Sequence, residues 1–308
     1  MNEPKLIDDL MAWNAASEQD QEAVALEVEG LLGRGFQFLG LRTYAGSQWR
    51  IATFEHNRLK VEFVLLPGGE FIAGVSEANR KALAAIDSNV WLPDTVLPPA
   101  QSVYVKPFLL SRLPIDEETA DEWSAIAEIR SYRLNQANVP KTRGPHHAAL
   151  LTEAEAATIS VPYRLNALTE HQWEYAYRSG STALFPWGDS LPSDQAAWNR
   201  VLLGDFSDPD AVEAASNAFG VAAMQWGEIC SDPFESAFAP VPKVAADELA
   251  EQAPVMRGGA ALFEPWKDQS WPLCISGARW DTQDYAPDRY ALRLVLDIPK
   301  PRKPRKAK

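Results

Sequence analysis

Two cysteines and four histidines are the residues of this sequence best suited to nucleophilic, redox or metal chemistry. A thiolate attacks electrophiles and binds soft metal ions, so Cys230 and Cys274 are the first residues to consider. Two cysteines exclude a disulfide framework and a four-cysteine zinc site. Because free cysteine is among the most frequently buried residue types, an inert buried thiol is the simple alternative for both. Cys274 is retained as a weak catalytic candidate.

Acidic and histidine residues offer a second kind of chemistry, metal binding. The spacing of three aspartates, Asp205, Asp208 and Asp210, suits calcium. The segment lacks the glycine and the final glutamate that complete a known calcium loop, so we expect a solvated turn. The adjacent His146 and His147 follow a proline and indicate a polar surface loop. No serine-nucleophile elbow, phosphate loop or metalloprotease helix motif is present.

Charge is the strongest compositional signal. The chain has 42 acidic and 29 basic residues, giving a net charge of −13, and six of the basic residues lie in the last nine positions, so the rest of the chain carries −19. Such a body repels phosphate backbones, which argues against nucleic acid as the main ligand and favours either a cationic partner, such as a basic protein, or simple solubility. The tail, residues 299–308, predicts a disordered basic arm.

Hydropathy places the chain among globular proteins. Hydrophobic residues make up 46% of the sequence, enough for a packed core. No run approaches the ~20 apolar residues of a membrane span, and the first residues lack the features of a secretion signal. We expect a cytoplasmic protein without a membrane span.

Patterned segments must position the candidate residues. The periodicity predicts two helices within residues 4–32, strands over 36–41, 49–54, 59–66, 71–75 and 103–110, and helices over 116–129 and 169–178. Thr169 can cap the last of these helices, and Trp173, Ala176 and Tyr177 share one of its faces, which predicts docking on a core. Turn residues dominate beyond it, where regular structure is expected to be sparse.

Several of these runs, taken in order, resemble the sulfatase-modifying-factor family of formylglycine-generating-enzyme-like domains. The runs are 63–71 (FVLLPGGEF), 103–109, 117–119 with Trp123, 163–165, 169–176 (TEHQWEYA), 185–189 (FPWGD), 217–220 (NAFG), 257–259 (RGG), 277–279 (GAR) and 292–294 (LRL). The resemblance implies an α+β, C-type-lectin-like fold rich in irregular loops. It divides the chain into an N-terminal helical and β extension packed on the body (1–59), the family domain (60–298) and the tail (299–308).

The family's oxidase centre is absent from the matching positions. Its enzymes oxidise a substrate cysteine with a pair of cysteines that bind copper(I), placed between the Arg-Gly-Gly turn and the later arginine. Residues 260–278 contain one cysteine, Cys274. The family's calcium-loop signature is shortened here to 224–230 (MQWGEIC) without its asparagine, so we expect no cofactor, with calcium at Glu228 or the aspartate cluster as the alternative.

Three functional hypotheses follow. The leading one is a non-catalytic binding protein that recognises a protein partner, in one version as an immunity-type inhibitor of a basic toxin. Its predicted binding residues are Trp226, Trp266, Trp271, Trp280 and Arg279. The alternatives are an oxidoreductase of altered chemistry that uses Cys274 or a metal, and a structural subunit that oligomerises through its N-terminal helices. Arg279 and Arg293 are also expected to pair with buried carboxylates.

Overall fold

The computed structural model describes residues 6–45, 47–90, 92–126, 145–192, 195–222, 227–233, 254–258, 271–281 and 290–299. Its α-helices are Leu10–Ala15, Glu18–Leu32, Glu77–Ile86, Glu117–Ile126, Glu153–Ser160, Glu170–Arg178, Gln195–Leu202 and Pro209–Ala214. Short 3₁₀ helices are Leu6–Asp8, Gly33–Gly35, Val161–Tyr163 and Trp271–Cys274. The strands are β1 (Phe36–Arg42), β2 (Ile51–His56), β3 (Glu62–Leu66), β4 (Gly69–Ala73), β5 (Gln101–Val105), β6 (Phe108–Ser111), β7 (Asn166–Ala167), β8 (Glu228–Pro233), β9 (Pro254–Arg257), β10 (Arg279–Asp281) and β11 (Leu294–Asp297).

The strands form an antiparallel framework. Six of them pair in the order β1-β2-β3-β6-β11-β7, three in the order β10-β9-β8, and β4 pairs with β5. Within the large sheet β3 and β6 carry consecutive buried apolar side chains, which place the sheet inside the core. The mixed helix and sheet content confirms the predicted α+β class. No helix in the described ranges has the length and apolar character needed to cross a membrane.

The N-terminal segment joins this framework through both its helices and its strands. Ser17 caps the Glu18–Leu32 helix by accepting from the Asp20 amide, as its position before an acidic first turn indicates. Trp13 is fully buried, and its indole nitrogen donates to the Arg50 carbonyl at 2.8 Å. Strand β2 pairs with β3. The predicted boundary at residue 60 therefore divides a continuous sheet.

Two sequence-based expectations for secondary structure differ from what is observed. The single strand expected over 103–110 is two strands, β5 and β6, which pair with β4 and β3 respectively. Pro107 lies between them and has no amide hydrogen to continue a ladder. The turn residues after residue 178 also did not indicate the two short helices found there, Gln195–Leu202 and Pro209–Ala214.

The Glu170–Arg178 helix, called the central helix below, crosses the interior. Thr169 and Gln172 form a reciprocal capping box at its start, which confirms the predicted cap. Trp173 and Tyr177 are buried as the sequence predicts, but Glu170 and Glu174 on the other face are also completely buried. The helix is therefore surrounded by protein and its acidic face needs internal partners.

Candidate functional site

The two thiols are buried. Cys230 on β8 is 1% exposed, although it borders a cavity of about 400 Å³, and Cys274 is 7% exposed. Burial raises the pKa of both thiols, and the positive charge of Arg257 opposes this shift only at Cys230. A thiol whose pKa is raised stays protonated at neutral pH, and the protonated form is a poor nucleophile and a poor metal ligand.

The acidic face of the central helix is paired with three arginines, one on the same helix and two from distant parts of the chain. Arg257 Nη2 lies 2.6 Å from Glu174 Oε2, and Arg178 Nε lies 2.8 Å from Glu174 Oε1. Arg279 Nε lies 2.7 Å from Glu170 Oε1. Burial raises the pKa of Glu170, while Arg257 and Arg279 act in the opposite direction. These pairs hold β9 and β10 against the helix, as expected for Arg279 acting as a strut.

A second buried pair joins β8 to the last part of the described chain. Arg293 donates from Nη2 to Glu228 Oε1 at 2.9 Å and from Nε to Glu228 Oε2 at 3.1 Å. Tyr177 Oη donates to Glu228 Oε1, and Trp173 Nε1 donates to Glu228 Oε2 at 3.2 Å. The carboxylate of Glu228, the predicted calcium ligand, thus accepts hydrogen bonds from several donors. The guanidinium of Arg293 supplies the positive charge beside it.

The aspartate cluster at 205–210 is organised around an arginine and a helix start. Arg200 Nη1 lies 2.5 Å from Asp208 Oδ2, and Arg200 Nε lies 3.5 Å from Asp205 Oδ2. Asp208 also caps the Pro209–Ala214 helix through the amides of Asp210 and Ala211. Burial acts to raise the pKa of Asp205, but the hydrogen bonds from Ser207, together with nearby charge including that of Arg200, hold it below its usual value. Arg200 supplies the positive charge that calcium would bring.

The predicted aromatic and arginine binding residues do not meet at a surface of the described structure. Trp271 is 6% exposed, and its ring packs edge-on against Phe185 with ring centroids 6.0 Å apart. Arg279 is 5% exposed and is bonded to Glu170. The main chain of Trp280 lies in β10, opposite Met256. Trp226 and Trp266 lie outside the described residues.

An open cavity of about 720 Å³ lies where the N-terminal segment meets the paired strands β4 and β5. We call it the acidic aromatic cavity. Its lining residues are Asp8, Asp9, Leu10, Met11, Gly69, Glu70, Phe71, Ile72, Tyr104, Tyr175, Gly180, Ser181 and Thr182. Tyr104 Oη donates to the Asp8 carbonyl at 3.1 Å and Tyr175 Oη donates to the Pro67 carbonyl at 2.6 Å. Phe71 packs edge-on against Tyr175 with ring centroids 5.3 Å apart. Both tyrosine rings are therefore held in place by hydrogen bonds to the main chain.

The cavity has a one-sided charge. Among the residues that the structure describes, the lining includes three acidic residues, Asp8, Asp9 and Glu70, and no lysine, arginine or histidine. Burial, followed by the charges of Asp8 and Asp9, raises the pKa of Tyr104. Met11 and Tyr104 at the rim are 73% and 52% exposed. Carboxylates and aromatic rings around one opening form an environment that attracts cations.

Sequence reasoning did not find this cavity. Its lining comes from five separate segments of the chain, and none of them contains a motif for binding. The one available signal was the acidic and apolar composition of residues 8–11, which is equally typical of the start of a helix.

The fold and the buried arginine–glutamate pairs define a class of protein with a large, loop-bearing α+β scaffold. The family model for the sulfatase-modifying factor enzyme 1-like domain matches residues 50–298, and the chain belongs to this family. The match begins ten residues before the boundary expected from the sequence.

A solved structure agrees with this assignment at the level of the fold. The chain is similar to PvdO from Pseudomonas aeruginosa, with 21% identity and a TM-score of 0.53 over 79% of this chain and 97% of PvdO. It also matches Treponema denticola variable protein 1 with 12% identity and a TM-score of 0.44, over 83% of this chain and 99% of that one. No curated protein sequence matches the chain.

Proposed function

We propose that this chain is a non-catalytic, cytoplasmic binding protein that recognises a basic protein partner on a formylglycine-generating-enzyme-like scaffold. The observation that carries the proposal is the acidic aromatic cavity, whose described lining includes three acidic residues and two tyrosines and no basic residue. The burial of both thiols supports the non-catalytic part, because neither thiol meets the conditions for reactivity.

The cavity suits an arginine or lysine side chain from the partner. The carboxylates of Asp8, Asp9 and Glu70 attract the cation, and the exposed ring of Tyr104 offers a face over which a guanidinium packs. Met11 and Ile72 add apolar contact at the rim. Arginine fits this combination better than lysine, because its planar group stacks on aromatic rings and is more weakly hydrated.

Charge outside the cavity favours the same partner. The Glu18–Leu32 helix exposes Glu18, Asp20, Glu22 and Glu27 and contains no lysine or arginine. Negative charge spread over this segment accelerates the approach of a basic protein. An immunity-type inhibitor of a basic toxin is the concrete form of this proposal, since such an inhibitor needs affinity for a cationic surface and no chemistry of its own.

Binding of basic peptides to the full chain tests the proposal. An oligoarginine peptide is titrated at low and at high salt, with an oligoglutamate peptide as the negative control. Wild type should bind oligoarginine in a salt-sensitive manner. Tyr104→Ala should weaken binding several-fold, whereas Tyr104→Phe, which retains the ring, should stay near wild type.

The matched control for charge is a pair of glutamate variants. Glu70→Gln removes a cavity carboxylate, and Glu77→Gln removes an exposed carboxylate outside the lining, whose contact to Lys81 is 3.9 Å. Only Glu70→Gln should weaken binding. Equal binding by Tyr104→Ala, Glu70→Gln and wild type would overturn the proposal, as would binding that does not change with salt.

A further inference from the structure

Three metal-ligating side chains meet at the start of the Glu117–Ile126 helix, away from the cavity and the thiols. His146 Nδ1 lies 3.8 Å from Asp116 Oδ2 and 3.7 Å from Glu118 Oε2. One ligand atom of each residue lies within 4.8 Å of the other two. Two ligands bound at about 2.1 Å to one tetrahedral ion lie roughly 3.4 Å apart, so small side-chain rotations bring these atoms to coordination distance.

The main chain fixes this arrangement independently of the side chains. The Glu118 amide donates to the Pro145 carbonyl at 3.0 Å, and the Glu117 amide donates to the His147 carbonyl at 2.8 Å. On the other side of the loop, the Phe206 amide donates to the His146 carbonyl at 2.9 Å. The loop with His146 is therefore held beside the helix start before any ion binds, which lowers the entropic cost of binding one.

The carboxylate of Asp116 has one oxygen committed and one available. Its Oδ1 accepts a hydrogen bond from the Thr119 amide at 2.9 Å, and its Oδ2 is the oxygen nearest His146. A hydrogen bond of this kind orients a metal ligand and maintains its geometry. One carboxylate oxygen of Asp116 thus bonds to the helix start, and the other lies beside His146, where it can bind a metal ion.

Charge and access suit a divalent cation. Two of these three groups are carboxylates. Their combined negative charge exceeds the positive partial charge at the start of a helix, which is roughly half an elementary charge. In the described part of the chain, the potentially basic side chain within 4.0 Å of the Asp116 and Glu118 carboxylates is the imidazole of His146. The side chains of Asp116, Glu118 and His146 are 24%, 58% and 53% exposed, so an ion can enter and keep water in its remaining positions.

We propose that Asp116, Glu118 and His146 form a binding site for one divalent transition-metal ion of the zinc class. One imidazole and two carboxylates match the ligands that Zn²⁺ takes in sites that leave a position open to water. The ion would join the start of the helix to the loop at residues 145–148. This site is independent of the proposed partner recognition, since none of its residues lines the acidic aromatic cavity.

Metal titration of the full chain tests the site. After treatment with a chelator, wild type is titrated with Zn²⁺ by calorimetry and with Co²⁺ by visible absorption, which reports the coordination geometry. We expect one ion per chain, a Co²⁺ spectrum with nitrogen and oxygen ligands, and a Zn²⁺-dependent rise in the melting temperature.

Conservative variants separate coordination from folding. His146→Gln and Glu118→Gln should each weaken Zn²⁺ binding at least about tenfold, the loss that even outer partners of a metal cause. Asp116→Asn should do the same while retaining the cap, because asparagine also caps helices. His147→Gln, which changes the neighbouring histidine, should bind as wild type does. Absence of stoichiometric Zn²⁺ binding, or an equal loss in His147→Gln, would overturn the site.

Discussion

Arg257 Nη2 and Glu174 Oε2 lie 2.6 Å apart, and neither side chain has any exposure to solvent. Glu174 also accepts from the Gly74 amide at 2.8 Å, so one carboxylate connects the central helix, β9 and the chain after β4. Loss of one member of such a pair leaves the other charge buried without its partner. The pair is therefore a structural requirement of the scaffold.

Glu174→Gln should lower the free energy of unfolding by about 3–5 kcal/mol, the cost of breaking a buried ion pair. Chemical denaturation monitored by circular dichroism measures it. Glu77→Gln serves as the matched control, because the Glu77–Lys81 pair is more than three-quarters exposed on both sides and should contribute under about 1 kcal/mol. Similar losses in the two variants would contradict the structural role of Glu174.

Two glycine substitutions should have opposite effects. Gly74 has φ of +82°, and an added Cβ would lie 2.6 Å from the Pro99 carbonyl oxygen. Gly74→Ala should destabilise by at least about 2 kcal/mol, since strain and collision add. Gly30 lies within the Glu18–Leu32 helix with nothing within 4 Å of its added Cβ, so Gly30→Ala should stabilise by about 0.5–1 kcal/mol. Melting temperatures of both variants check the signs, and a destabilising Gly30→Ala or a neutral Gly74→Ala would contradict them.

Acid should destabilise the protein through His56. This residue is 6% exposed, and its Nδ1 accepts from the Leu59 amide at 3.1 Å, which requires the neutral ring. Burial lowers its pKa, so the unfolded chain takes up a proton first as pH falls below about 6.5. His56 thus contributes stability above that pH and loses it below, by up to about 1.4 kcal/mol per pH unit.

Urea unfolding at a series of pH values between 7.5 and 5 measures this loss. His56→Gln retains a hydrogen-bond acceptor without a titrating group, so its stability should fall less steeply over the same range. An unchanged slope in His56→Gln would assign the acid sensitivity to other groups.

Calcium should have no effect at the aspartate cluster. Arg200 already contacts Asp205 and Asp208 there, so added Ca²⁺ is expected to leave the melting temperature unchanged. Asp208→Ala should cost about 0.5–2 kcal/mol through loss of the helix cap. A rise in melting temperature with Ca²⁺ that Asp208→Ala abolishes would instead establish a calcium site.

Local signals in the sequence identified many elements. Thr169 is correctly predicted as a helix start, because capping depends on residues three positions apart. The contact of Asp189 within the 185–189 run is local too, since its side chain accepts from the Leu184 amide at 2.7 Å. The Pro209–Ala214 helix was missed, although Asp208-Pro209 is a standard start, because the same pair is common in turns.

Periodicity in the sequence could not predict which residues pair with partners far away along the chain. Glu170 and Glu174 share one helix face, and that spacing favours exposure to solvent. Two of their arginine partners, Arg257 and Arg279, lie more than 80 positions further along the chain, so no local window contains both members of those pairs. The acidic aromatic cavity was missed for the same reason, because Asp9, Glu70 and Tyr104 meet only in the folded chain.

The reactivity of the two thiols in the native protein tests the central claim most directly, namely that this scaffold is retained without a reactive centre. Native full-length protein is treated with a thiol reagent and, separately, with one equivalent of copper(I), and Cys230→Ser and Cys274→Ser assign any signal. We expect both thiols to react only when the chain is unfolded, and we expect the native protein to retain no stoichiometric copper. Rapid labelling of the native chain, or one bound copper ion lost in both serine variants, would contradict it.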